Sequence, residues 1–309
     1  MIRILFIIFL SVFNSVIVFS QITSEEITIN NYEIQLPGTL TFSSETSPLI
    51  IWVHGSGNVD RNGNQAGTQV GANYIQQVRE KLNESGLAFF SFDKRTANPK
   101  NMRFMQQNGV LIGDFVDDVK EVINHFKNKK KFSNITLIGH SQGSLISMLA
   151  SSDVDKIISL AGPAEAIDKT IIRQVSGQNK ELGELCASYF KQLKDSGEIK
   201  KVDPRLITLF AKPNQPFFKS WMEKDPVKII STIDKPILIL NGDKDAQVPS
   251  SEAITLHKAN STSELVIIKN MNHVLKEIVK SEDNLASYKT PTFPISKELI
   301  VSITRFVKE

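Results

Sequence analysis

Cysteine is almost missing from this chain of 309 residues. The single one, Cys186, excludes an internal disulfide, and its place in the polar run ELGELCASYF, far from the motifs below, reads as a buried structural thiol. Excess charge of either sign is missing too. With 36 Lys+Arg against 33 Asp+Glu there is no electrostatic case for a nucleic-acid partner. The one basic run, KNKKK at 127–131, lies where a helix should end, so its lysines complement the helix dipole and stay solvated. Apolar runs long enough to cross a bilayer are absent after the first twenty residues. There, Arg3 precedes ILFIIFLSVFNSVIVF, which reads as an export signal cut near Ser20–Gln21; an uncleaved anchor is the alternative, because the run is near the lower limit for a span. That segment has no cysteine to carry a lipid. The expectation is a periplasmic or secreted protein with no stable membrane insertion after cleavage. Histidine is scarce as well, five in all, which shortens the search for a catalytic base.

What is present is an alternation of short β-branched or aromatic runs with longer amphipathic ones, the signature of strands joined by crossover helices in a largely parallel sheet. The predicted strands are PLIIWVH ending at His54, LAFFSFD at Asp93, ITLIGH at His140, KIISLA at Ala161, PILILN at Asn241 and ELVIIK at Lys269. Helices are predicted over 73–82, 114–127, 143–151, 250–259 and 296–308, and YEIQL with GTLTF reads as an antiparallel hairpin ahead of the parallel part. Residues 21–309 read as one domain. Its alternation fails between about 163 and 233, a stretch too long for one crossover, which reads as an inserted helical cap. The aromatics of that insertion, Phe190, Phe210, Phe217, Phe218 and Trp221, suggest that it receives an apolar part of a substrate.

Ser141 stands between Gly139 and Gly143 where the strand ITLIGH gives way to a helix. G-x-S-x-G alone is weak, but strand, sharp turn and helix in that order form the context of a nucleophile elbow. Small neighbours allow the turn, and the serine is held in a strained conformation at the carboxyl edge of the sheet. A serine hydroxyl needs a base. His125 and His257 fall in predicted helices, while His54 and His140 are committed to strand ends; His273 remains, on a loop past the last strand at the same sheet edge. The acid that would fix its tautomer lies in NGDKDAQVP. Asp245 is preferred because it stands farther out along the loop, whereas Asp243 is placed to cap the turn. Oxyanion donors are expected from the backbone N–H of Gln142, at the start of the helix, and of Ser56 in HGSGNVDRNGN, with Gly55 and Gly57 as neighbouring alternatives. That glycine loop lacks the lysine and hydroxyl spacing of a P-loop.

These residues together resemble the α/β-hydrolase superfamily, and within it exported bacterial EstD-like carboxylesterases and serine aminopeptidase-like hydrolases. The similarity runs through nearly the whole mature chain: GSGNVDRNGN, FDKR, IGHSQG, LAGPA, NGDKDAQVP and MNHVL each match a motif of that group. Asn62, Thr96 and Ser144 depart from it, standing where the group has an aspartate and two glycines, and all three are placed to reshape the pocket mouth. Asp60, Arg61, Asp93 and Arg95 read as charges that pin loops beneath the site by mutual pairing. The resemblance implies an α/β-hydrolase fold with an inserted cap, and a serine hydrolase acting on small-molecule esters, with no metal or organic cofactor; the cap aromatics point to an apolar acyl or alcohol group of short to medium chain. Two alternatives accompany it. One is an aminopeptidase or amidase, with ELGE in the cap anchoring a substrate amine; the other is a non-catalytic binding protein that kept the fold, against which the complete Ser141, Asp245, His273 set argues.

Overall fold

The structure is a computed structural model describing residues 21–129 and 131–309; the expected signal segment 1–20 and its cleavage after Ser20 lie outside the described residues. Eight strands form one sheet: β1 (Thr23–Asn31), β2 (Ile34–Phe42), β3 (Leu49–Val53), β4 (Ala88–Phe92), β5 (Ile135–His140), β6 (Lys156–Leu160), β7 (Ile237–Gly242) and β8 (Glu264–Ile268). Their spatial order is β1-β2-β4-β3-β5-β6-β7-β8, antiparallel at β1/β2 and β2/β4 and parallel from β4 to β8. The helices are α1 (Tyr74–Glu84), α2 (Met102–Asn108), α3 (Ile112–Lys129), α4 (Gln142–Leu149), α5 (Ile167–Gln178), α6 (Lys180–Ser196), α7 (Ile207–Phe210), α8 (Gln215–Met222), α9 (Pro226–Ile230), α10 (Ser250–Ala259), α11 (Asp283–Ser287) and α12 (Lys297–Lys308).

The central strands read as unbroken apolar runs because helices cover both faces of the sheet. In β3, Leu49, Ile51 and Val53 enter the core built with α3 and α4, while Ile50 and Trp52 enter the one built with α1 and α12. Period-2 alternation thus feeds two cores from one strand. The elements expected for the parallel part are all present, with strand ends shifted by about one residue and helix ends by about two. The leading hairpin is different: its arms are residues 23–31 and 34–42, and YEIQL and GTLTF fall mostly in the same strand, β2. Pro37–Gly38 reads as a turn but is strand. The Pro37 carbonyl accepts from Asp93 N–H just past the end of β4, so the missing proline N–H falls where the β2/β4 ladder stops and no bond is lost.

Between β6 and β7 lie α5 to α9. Phe210 and Phe190 stack edge-on at 5.0 Å, Phe210 and Phe218 lie 5.6 Å apart, and Phe190, Phe210, Phe218 and Trp221 are all buried. The sequence suggested that these aromatics receive a substrate, but they fill the core of their own helical segment. Phe217 is half-buried and meets Phe115 of α3 edge-on at 5.9 Å. Phe218→Ala is therefore expected to lower stability by about 3–5 kcal/mol. Denaturant titration of the variant against wild type checks this; unchanged stability would contradict the packing role. Cys186 is buried on α6, as expected of a structural thiol, and burial pushes its thiol pKa up.

Candidate active site

Ser141 closes β5 and opens α4 with φ 55° and ψ −120°, outside the regions ordinary residues occupy. Its N–H still joins the ladder, donating to Leu160 C=O at 2.9 Å, and its own carbonyl accepts from Ser144 N–H at 2.9 Å. The flanking glycines are required by contact: a side chain at Gly139 would overlap the Gly143 carbonyl, and one at Gly143 would overlap the Val53 carbonyl. A β-carbon on Gly55 would stand 3.2 Å from Ser141 Cβ, so the loop after β3 lies directly against the elbow. The Gln142 N–H sits at the first position of α4, and Ser56 is exposed in that loop.

His273 and Asp245 meet. His273 Nδ1 donates to Asp245 Oδ2 at 2.7 Å, and both side chains are buried. The other carboxylate oxygen, Oδ1, accepts the backbone N–H groups of Gln247 and Val248, each at 2.8 Å, which fixes the carboxylate plane. Asp243 instead accepts Asn270 N–H at 2.7 Å, a brace between the loops after β7 and β8. The His273 loop is closed by Asn272 and Lys276, which exchange bonds: Asn272 N–H to Lys276 C=O at 3.1 Å and Lys276 N–H to Asn272 Oδ1 at 3.0 Å. The fully buried Lys276 also donates to Gln77 Oε1 at 2.5 Å and Phe293 C=O at 2.8 Å, and burial lowers its pKa to about 8. Among the described residues the Ser141 side chain makes no hydrogen bond.

Two further histidines support the site without titrating in it. His140 Nε2 lies 2.8 Å from the His273 carbonyl and donates to it, tying the elbow to the base loop, and its ring stacks on Trp52 at 5.9 Å. His54 meets Phe92 edge-on at 5.0 Å. Burial first, and the neighbouring His273 and Lys94 respectively, lower the pKa of His140 and of His54 to about 3. The unfolded chain takes up these two protons near pH 6.5 and the native state does not until about 3. The stability these two histidines contribute is therefore complete above about pH 6.5 and falls as pH drops towards 3, by about 1.4 kcal/mol per pH unit for each. Urea titrations should give a value about 4 kcal/mol lower at pH 5 than at pH 7; equal stabilities at the two pH values would contradict this.

The charged loops are only partly as the sequence suggested. Arg61 and Asp93 do pair, with two bonds at 3.0 and 2.9 Å, and Arg61 also pairs with Glu26. Asp60 instead accepts Asn62 and Asn64 N–H, capping its own turn. Arg95 turns to Asp118 of α3, at 2.7 and 2.8 Å. The three departures from the family motifs have local partners: Asn62 accepts from Arg79 at 3.2 Å, Thr96 donates to Gly57 C=O at 3.3 Å, and Ser144 bonds Ser159 at 2.7 Å. Ser144 is buried, so it has no part in the mouth.

Sequence reasoning missed Lys94. Its ammonium is buried and donates to Gly55 C=O and to Gln142 Oε1, each at 2.7 Å. The signal was its place in FDKR, and nothing local announces its partners. A cleft of about 480 Å³ between the β6–α5 loop, α9 and α10 is lined by Glu165, Lys169, Asp225 and Glu252, and none of the residues above lines it.

Sheet order, elbow and the loops after β7 and β8 define an α/β-hydrolase fold. The chain belongs to the BD-FAE family, whose model matches residues 33–259. It is similar to the esterase EstD of Thermotoga maritima, 23% identical over 265 residues, which is 81% of this chain and 60% of EstD; the chain thus spans less than two thirds of that relative. A shorter match, 33% identical over 80 residues, joins 25% of this chain to 26% of the secreted mono- and diacylglycerol lipase MDL4 of Malassezia globosa. Among solved structures, Est1E from Butyrivibrio proteoclasticus superposes with a TM-score of 0.58 at 21% identity, over 92% of this chain and 99% of that one. A further structure of Est1E has ferulic acid bound (TM-score 0.56, 22% identity, 85% of this chain and 96% of that one). The esterase Pf2001 of Pyrococcus furiosus superposes with 0.57 at 17% identity, over 93% and 91%.

Proposed function

We propose that this protein is a serine carboxylesterase of small esters. The observation that carries the reading is the 2.7 Å bond from His273 Nδ1 to Asp245 Oδ2, on loops at the same sheet edge as the Ser141 elbow. Ser141 Oγ attacks the ester carbonyl while His273 Nε2 takes its proton, and Asp245 holds the imidazole in the tautomer that leaves Nε2 free to do so. The N–H groups of Ser56 and Gln142 receive the oxyanion. Collapse of the tetrahedral adduct passes the proton from His273 to the departing alkoxide and leaves an acyl-Ser141. Water, deprotonated by His273, then adds to that acyl group, and collapse of the second adduct releases the acid as His273 returns the proton to Ser141 Oγ.

Ester cleavage is preferred over amide cleavage because an alkoxide leaves more easily than an amine. An amine-anchoring role for ELGE has little support: Glu181 pairs with Arg205 on the exposed side of α6, and Glu184 is exposed. The segment 163–233 serves as the cap, and Phe217 is its one aromatic candidate for substrate contact. Residues 1–20 act as an export signal; N-terminal sequencing of exported material is expected to begin at Gln21, and a chain beginning at Met1 would contradict this. The substrate class is tested by comparing nitrophenyl acetate, butyrate and octanoate, methyl ferulate and an aminoacyl nitroanilide. The esters should turn over at least about 100-fold faster than the anilide; the reverse order would make the protein an amidase.

A further inference from the structure

Lys94 follows β4 and reaches into the space between the two loops that carry the oxyanion donors. Its two acceptors are specific to that place. One is the Gly55 carbonyl, which belongs to the same peptide unit as the Ser56 N–H; in a trans peptide, carbonyl and N–H point in opposite directions. The other is the side chain of Gln142, the residue whose N–H opens α4. The carbonyls of Gly55, Ser56 and Gly57 accept, in order, from Lys94 at 2.7 Å, Gln65 at 3.4 Å and Thr96 at 3.3 Å. All three are held by side chains, and the charged donor holds the peptide next to Ser141. Gly55 and the left-handed Gly57 leave this stretch free to flip without such a hold.

We infer that Lys94 is the positioning residue of the oxyanion hole: its Nζ locks the Gly55–Ser56 peptide with N–H forward and, through Gln142, couples that loop to the elbow. The inference rests on the serine-esterase reading. A cation on the carbonyl also polarises the peptide, so the Ser56 N–H becomes a stronger donor to developing negative charge. Among the described residues, the groups around Lys94 leave that cation without a counter-ion in contact. His54, at the end of β3, is neutral; Asp118 of α3 is taken by Arg95, and Asp93 by Arg61. The face of Phe115, 4.4 Å from Nζ, completes the surroundings. Burial lowers the Lys94 pKa to about 7, with Asp118 pulling weakly the other way. Above that pH the amine keeps two hydrogens for the same two acceptors and loses only its charge. Activity should therefore descend to a lower plateau, not to zero, as pH rises through neutrality.

The test measures kcat and KM of wild type, Lys94→Met and Lys94→Gln from pH 5.5 to 9, together with affinity for a trifluoromethyl ketone, which forms a tetrahedral adduct. Lys94→Met should lose about 10- to 100-fold in kcat with KM within about threefold, and ketone affinity should fall by a similar factor. Lys94→Gln, which keeps neutral donors, should recover much of the loss, and in both variants the descent above pH 7 should vanish. Wild-type kcat and ketone affinity in Lys94→Met, or an unchanged basic limb in Lys94→Gln, would overturn the inference. Should Lys94→Met not fold, the Lys94→Gln profile decides alone. A wild-type enzyme that forms no ketone adduct, with Ser141→Ala still active, would instead reject the esterase reading itself.

Discussion

Ser141→Ala is expected to fold as the wild type does and to lose ester hydrolysis by about 10⁴-fold or more. The fold should survive because the bonds of Ser141 are made by its backbone, Ser141 N–H to Leu160 C=O and Ser144 N–H to Ser141 C=O, and alanine keeps both. The strained φ of 55° costs alanine about what it costs serine. Activity should collapse because the neighbouring hydroxyls do not replace Oγ: Ser144 is buried against Ser159, and the role proposed for Ser56 uses its backbone N–H, not its hydroxyl. Steady-state rates with a nitrophenyl ester, alongside thermal melts of both proteins, check the two halves of the expectation. Turnover within about tenfold of wild type would remove Ser141 from the chemistry.

The second large effect separates two aspartates two residues apart. In Asp245→Asn the amide oxygen can still accept Gln247 and Val248 N–H, so the loop holds. The amide nitrogen then faces His273 Nδ1 as a donor, which forces the proton onto Nε2 and leaves no lone pair for the serine proton. A fall in kcat of about 10⁴-fold, with substrate binding little changed, is expected. Asp243→Asn keeps an oxygen for Asn270 N–H and should stay near wild type. If Asp243→Asn were the crippled variant, the carboxylate assigned to the triad would be the wrong one.

Much of this site can be read from the residues in order, because its parts fall at strand ends. Five central strands buried on both faces and the half-buried edge strand β8 give apolar runs, and whatever follows each run must emerge at one sheet edge. Ser141, Asp245 and His273 are each found that way. The preference for Asp245 over Asp243 follows from distance along the loop, and the geometry brings Asp245 to the histidine. What escapes the sequence depends on partners far along the chain. Lys94 acts through Gly55 and Gln142, Arg95 through Asp118, and His140 through the carbonyl of His273, 133 residues away. Pro37–Gly38 misleads for a similar reason, since only the end of the neighbouring ladder makes proline harmless there. The aromatics between β6 and β7 mislead because composition does not say which way a side chain faces: Phe218 and Trp221 turn into their own core.

The most direct measurement is the mass of the covalent intermediate. Wild-type protein mixed with an activated acetyl ester, quenched in acid within milliseconds and digested, should carry one acetyl group on the peptide containing Ser141. Asp245→Asn should carry little and Ser141→Ala none. An unmodified Ser141 peptide during steady turnover, or an acetyl group on another residue that is kinetically competent, would contradict the account.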